Sequence, residues 1–95
     1  MVTAVWNNAK IASSQNSVVV EGNHYFPPAD VNKTHLQASD THTRCPWKGL
    51  ASYYDVVVEG VVNADAAWYY PQPSEKAKHI KDYVAFWKGV EIVED

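Results

Sequence analysis

The chain holds one cysteine, Cys45, so it can form no internal disulfide and supply no four-cysteine zinc cage. Its four glycines, Gly22, Gly49, Gly60 and Gly89, lie far apart, which removes any glycine-rich phosphate loop. No apolar run approaches the ~20 residues of a membrane helix. The N-terminus, MVTAVWNNAK, has no basic segment leading into an apolar block, so no secretory signal is expected and the expected location is cytoplasmic. Positive charge is also scarce. Eight Lys and Arg stand against 11 Asp and Glu, a net charge of −3 that argues against a nucleic-acid or anionic-membrane surface. Gly-x-Ser-x-Gly and His-Glu-x-x-His are missing, and the aspartates are scattered singly, so a two-metal carboxylate centre has no support.

Aromatic residues are what the chain has in quantity: 4 Trp, 6 Tyr and 2 Phe in 95 residues. With 46% hydrophobic and 20% charged residues, this composition describes a folded single domain over residues 1–95 rather than a disordered tail.

The patterning has mostly period two, with turn residues every few positions, which predicts a meander of short antiparallel strands. Thr3–Trp6 and Lys10–Ser13 flank Asn7-Asn8, a pair suited to positive φ. Ser17–Glu21 runs into Gly22-Asn23, and His24–Phe26 stops at Pro27-Pro28. One helical turn is expected over Ala29–Lys33. Thr34–Thr43 reads as a weak edge strand or a loop. Leu50–Glu59 is the longest strand signal, and Val61-Val62 with Ala64–Tyr70 forms its returning arm.

After Pro71-Gln72-Pro73 the spacing changes. Ser74 is a plausible N-cap, and Ala77, Ile80, Val84 and Trp87 recur three to four apart, predicting a short helix near Ser74–Asp82. Tyr83–Trp87 fits helix or strand, and Val90–Val93 is a last strand. The fold class is therefore mainly β with a minor helical part.

An internal echo joins the two halves. Val18-Val19-Val20-Glu21-Gly22 recurs as Val56-Val57-Val58-Glu59-Gly60, and each copy is followed by an aromatic triplet and proline. Alternation places the first and third valines on one face. Two similar hairpins across one core are expected, with Val18, Val20, Val56 and Val58 inside and Glu21 and Glu59 turned to solvent or a cleft.

The densest cluster of chemically capable groups is Thr43-Arg44-Cys45-Pro46-Trp47-Lys48-Gly49. Pro46 restrains Cys45 to an extended conformation and Gly49 permits a bend, so this loop presents a thiol, an indole and an amine together. Arg44 and Lys48 bracket Cys45 with positive charge that favours a thiolate nucleophile. The competing account is a buried structural cysteine beside an anchoring Trp. His24 is either a proton-transfer group or an imidazole satisfied by the backbone. His42 and Cys45 stand three apart, but a single loose set makes no metal site, and no cofactor is expected.

The segments Val18–Pro28, Cys45–Tyr54 and Ala66–Pro71, with the ending Tyr83–Val90, resemble the family catalogued as domain of unknown function number 427. The likeness runs from Ala4 to Ile92, and Cys45-Pro46-Trp47-Lys48-Gly49 is its most distinctive block. It implies a small, mainly β fold of tent-like or half-barrel shape, with a pocket formed by the recurrent residues. The family is sometimes labelled nucleotidyltransferase-like, but this chain lacks a Gly-Ser motif followed by paired acidic residues. Related tent-like folds carry a zinc knuckle of two Cys pairs, which Cys45 alone cannot supply, so a pocket without zinc is expected.

Two functions follow. The first is an aromatic-lined pocket for an unknown small molecule, with Asn23, Tyr25, Trp47 and Tyr54 as ligand-binding residues and Cys45, His24 and Lys48 as catalytic candidates. The second is a non-catalytic module whose aromatics dock a protein or peptide.

Overall fold

Three hairpins begin the same way. In the computed structural model, which describes residues 1–95, strands β1 (Val2–Trp6) and β2 (Ala9–Ser14) join through Asn7-Asn8. Strands β3 (Val18–Val20) and β4 (Asn23–Tyr25) join through Glu21-Gly22, and β6 (Gly49–Val58) and β7 (Val61–Tyr69) through Glu59-Gly60. All six turn residues have positive φ, between 50° and 81°. Such two-residue turns match the right-handed twist of the strands they connect, and Asn or a following Gly adopts them at least cost.

The remaining strands are β5 (Leu36–Cys45), β8 (Ala85–Phe86) and β9 (Glu91–Glu94). They complete three antiparallel sheets in the orders β2-β1-β9, β3-β4 and β5-β6-β7-β8, with no closed barrel. The polar segment Thr34–Thr43 thus resolves into an edge strand. Its exposed Gln37, His42, Thr43 and Arg44 suit an edge, where side chains need no cover. Tyr83–Trp87 resolves toward strand, through β8 and a bridge between Phe26 and Val84. The first expected helical turn divides into 3₁₀ turns at Pro28–Asp30 and Lys33–His35.

The helix near Ser74–Asp82 is a six-residue 3₁₀ segment, Glu75–Ile80. A three-residue repeat aligns Ala77 with Ile80, and both are fully buried. Ser74 does not cap it with its side chain. Its hydroxyl instead donates to the Trp47 carbonyl at 2.6 Å, so tertiary contact outcompetes the local cap.

Two apolar clusters lie on opposite faces of the β6–β7 ribbon. The larger gathers Ala4, Ile11, Phe26, Val56, Val58, Ala67 and Phe86 with their neighbours, and Tyr54 and Tyr69 pack against it. The smaller holds Tyr25, Ala51, Tyr70, Ala77, Ile80 and Ala85, with Cys45, Tyr53 and Trp68 against it. A register shift between Tyr54 and Val56, next to Asp65 at φ 55°, interrupts strict alternation, and Ala66 and Ala67 are both fully buried. The echo is therefore real as local structure but not as one core. Val56 and Val58 belong to the larger cluster, whereas Val18 and Val20 are half-buried against the smaller one.

Candidate functional site

The Cys45–Gly49 turn brings β5 back into β6, with Cys45 opposite Gly49. Gly49 has φ 119°, and a Cβ there would stand 3.3 Å from the Gln72 carbonyl oxygen. Only glycine combines that backbone angle with so close an approach. Ser74 then fastens the loop, its N–H donating to the Lys48 carbonyl at 2.9 Å and its hydroxyl to Trp47. The Lys48 side chain is thereby directed inward and is 6% exposed.

A buried ammonium needs a partner, because it has lost its water. Glu21, in the β3–β4 turn, supplies it: Lys48 Nζ donates to Glu21 Oε1, and Trp47 Nε1 lies 3.5 Å from Glu21 Oε2. Lys48 Nζ also stands 5.3 Å from the Trp47 ring centroid and 5.6 Å from that of Tyr70, within cation–π range. Burial pushes the ammonium toward neutrality. The Glu21 hydrogen bond, with smaller help from Tyr25, Tyr70 and Cys45, pushes further the other way, and the net shift is upward. Lys48 is charged at neutral pH. Hydrogen bonds from Lys48 and then Trp47 hold the Glu21 carboxyl below its ordinary value.

Above Lys48 opens a pocket of about 170 Å³, lined by Lys48, Tyr53, Trp68, Tyr70 and Trp87. Tyr53, Trp68 and Tyr70 come from the small-cluster face of β6–β7 and the residue that ends it. Trp68 is fixed twice: its indole N–H donates to the Tyr25 hydroxyl at 3.1 Å, and its ring meets Tyr25 edge-on at 6.1 Å. Trp87 follows β8 and packs edge-on against Trp68 at 5.8 Å, held by its indole N–H on the Asp65 carbonyl at 2.6 Å. Burial pushes the Tyr70 phenol up to about 12, so it remains a neutral donor. The arrangement is an open concavity walled by aromatic rings, with one buried cation.

This chain matches one family model over its full length, residues 1–95, described as Domain of unknown function (DUF427). The chain belongs to that family. Comparison with curated proteins gave no match. The likeness carried by Cys45-Pro46-Trp47-Lys48-Gly49 thus extends to both chain ends in this DUF427 domain.

Of the residues singled out in the sequence, Lys48 lines the pocket, and Tyr25 and Cys45 belong to the apolar cluster beneath it. Trp47 flanks the Lys48–Glu21 pair and is 38% exposed. Asn23 opens β4 opposite Val20, at the turn end of the β3–β4 hairpin. His24 neighbours Tyr25 on a strand and so faces the other way. Its Nδ1 meets the Ser17 hydroxyl at 3.1 Å and its Nε2 lies 3.5 Å from Glu94 of β9, which separates it from Cys45. Tyr54 likewise faces away, stacked on Tyr69 at 4.6 Å in a different concavity with Pro28, Lys33, Asp82 and Val84. No three His, Cys, Asp or Glu side chains come together as a metal-binding group, and no helix is long and apolar enough to cross a membrane.

The sequence did not single out Glu21, which pairs with Lys48, and pointed to Tyr54, which lines another concavity, rather than Tyr53, which lines this one. The signal for Glu21 was its place in the repeated Val-Val-Val-Glu-Gly turn, opposite the valine face. Alternation puts Tyr54 on the Val56 and Val58 face and Tyr53 on the other, but with both faces of this strand covered it does not say which of them carries the pocket. Trp68 and Tyr70 stood in the echoed aromatic triplet, and Trp87 in the helical spacing after Ser74.

Proposed function

We propose that this DUF427 domain binds a small planar molecule in the pocket of Lys48, Tyr53, Trp68, Tyr70 and Trp87. The observation that carries the reading is the convergence of four aromatic rings around one buried, charged amine. Ligand sites combine mostly apolar walls with a few fixed polar groups, and this pocket has that balance. Its volume, about 170 Å³, is close to that of an engineered cavity that accepts benzene, so the ligand is about one or two rings in size. Trp68 and Trp87 form the stacking walls, and Lys48 and Tyr70 orient the polar end.

If the bound molecule reacts, Cys45 is the nucleophile and Lys48 the electrostatic stabiliser. His24, which faces Ser17 and Glu94 on the other side of its strand and does not line the pocket, then carries no proton for Cys45. Docking of a protein or peptide draws its support from exposed Val61, Val62 and Trp87. The pocket reading is preferred because the rings line a concavity.

The test is a ligand-observed NMR screen of one- and two-ring aromatic compounds against the wild-type chain and Trp87→Ala. Binders in the wild type that Trp87→Ala weakens support the reading, and a folded wild type that binds none sinks it. A bound compound that slows alkylation of Cys45 adds the thiol to the site.

A further inference from the structure

The Lys48–Glu21 pair is asymmetric. The lysine side chain is 6% exposed, the glutamate 54%. If the pair separates, Glu21 regains water at once, whereas Lys48 becomes an unpaired buried cation, and that costs heavily. Glu21 also sits on a turn that is open to solvent at Gly22, with only Trp47 and Lys48 against its carboxylate. A Cβ added at the adjacent Gly22 would meet no atom within 4 Å. The carboxylate is thus free to leave, provided that another anion takes its place.

The pocket opens over the same ammonium. A cationic ligand is disfavoured, since Lys48 already occupies the faces of Tyr70 and Trp47 and would repel a second positive charge. A neutral ring would leave the Lys48–Glu21 pair intact and gain only from the walls. A singly charged anion matches the one cation, whereas a phosphate dianion carries an excess charge into an acidic chain of net charge −3. We propose that the pocket takes an aromatic carboxylate, whose ring packs against the wall made by Trp68, Trp87 and Tyr53 and whose carboxylate displaces Glu21 from Lys48. Glu21 is then the chain's own counter-ion for Lys48. It keeps Lys48 paired without a ligand and is exchanged when one binds.

This proposal rests on the pocket reading above, and the test separates the two. Assigned indole N–H signals of Trp68 and Trp87 are followed in ¹⁵N-labelled protein during titration with benzoate and, separately, with benzyl alcohol. Benzoate should bind the wild type more tightly than benzyl alcohol. In Glu21→Gln the competing charge is gone, so benzoate should bind about tenfold tighter, the order of one desolvated ion pair, with benzyl alcohol unchanged. Benzoate should also raise the melting temperature of Glu21→Gln more than that of the wild type. In Lys48→Met the two compounds should become equal.

Unchanged or weaker benzoate binding in Glu21→Gln overturns the exchange. Equal affinity for benzoate and benzyl alcohol in both the wild type and Glu21→Gln overturns the carboxylate while the pocket reading stands. No response of either indole signal to either compound in Glu21→Gln overturns both. Because the Gln amide oxygen still accepts a hydrogen bond from Lys48, Glu21→Gln keeps the test decisive even if Lys48→Met fails to fold.

Discussion

The valines of the second echo, Val56, Val57 and Val58, give the most direct test of how the β6–β7 ribbon is packed. Val56 is 0% exposed and Val58 3%, both in the larger cluster. Val57 points away from that cluster, half-buried opposite Val62, which is itself 52% exposed. Truncating a buried Val to Ala removes two methyl groups, worth about 0.8 kcal/mol each by transfer. The cavity left behind raises the cost to about 2–3 kcal/mol, since a packed core closes only partly around it. For a chain of this size each kcal/mol lowers the melting temperature by about 4–8 °C. Val56→Ala and Val58→Ala should therefore melt about 10–20 °C below the wild type. Val57→Ala should cost under about 1 kcal/mol, in the range of partly exposed positions. Urea unfolding at fixed pH, followed by tryptophan fluorescence, reads the same series as midpoints with a common slope. In the first echo, Val20→Ala should cost less than Val58→Ala, because Val20 is only half-buried. Equal midpoints for the three β6 variants would refute the reasoning, since they would mean that both faces of this end of the strand are equally enclosed.

Gly49→Ala should destabilise by about 1–3 kcal/mol, from the positive φ and the 3.3 Å approach to Gln72, measured as a lowered urea midpoint. Gly22→Ala, with open space around it, should cost less. The Glu21 carboxyl is held below its ordinary value of 4.5, so its contribution is present above about that pH and lost as pH falls through the lowered folded value. Urea midpoints taken from pH 6 down to pH 3 should therefore fall less steeply in Glu21→Gln than in the wild type. Tyr54 and Tyr70 are each pushed up to about 12, with burial the main cause, so ultraviolet titration should show two phenols ionising near that pH. Their folded-state values are raised, so the stability they contribute is complete below pH 10 and fades as pH climbs toward 12. Removing the Ser74 hydroxyl in Ser74→Ala should cost about 0.5–1.5 kcal/mol and broaden the Trp47 indole signal, because the loop loses its 2.6 Å fastening.

Much of the fold was legible because its decisive features are local. Asn7-Asn8 and Glu59-Gly60 stand where tight hairpin turns were expected, whereas the turn expected at Gly22-Asn23 lies one residue earlier, at Glu21-Gly22, because Glu21 leaves the strand at φ 54° and Asn23 opens β4. Alternation marked Val56 and Val58 as core, and Gly49 marked the bend after Lys48. The six-residue helical segment was visible in the spacing of Ala77 and Ile80. Its 3₁₀ form was not, because the choice depends on Ser74 turning to Trp47 instead of capping.

By itself, then, the sequence determined the hairpins, the mainly β class, the membership in DUF427 and the prominence of the Cys45–Gly49 loop. These follow from backbone preferences and period-two patterning, which act over a few residues at a time. Tertiary structure alone decided that Tyr53 faces the pocket while Tyr54 stacks on Tyr69, and that His24 turns toward Glu94. It also decided that Glu21 reaches Lys48 across 27 positions of chain. A strand covered on both faces carries no pattern that ranks one face above the other, so the choice belongs to whatever packs over each side. An ion pair between distant turns likewise leaves no local trace. It exists because burial of Lys48 demands an anion, and the folded β3–β4 turn is where one stands.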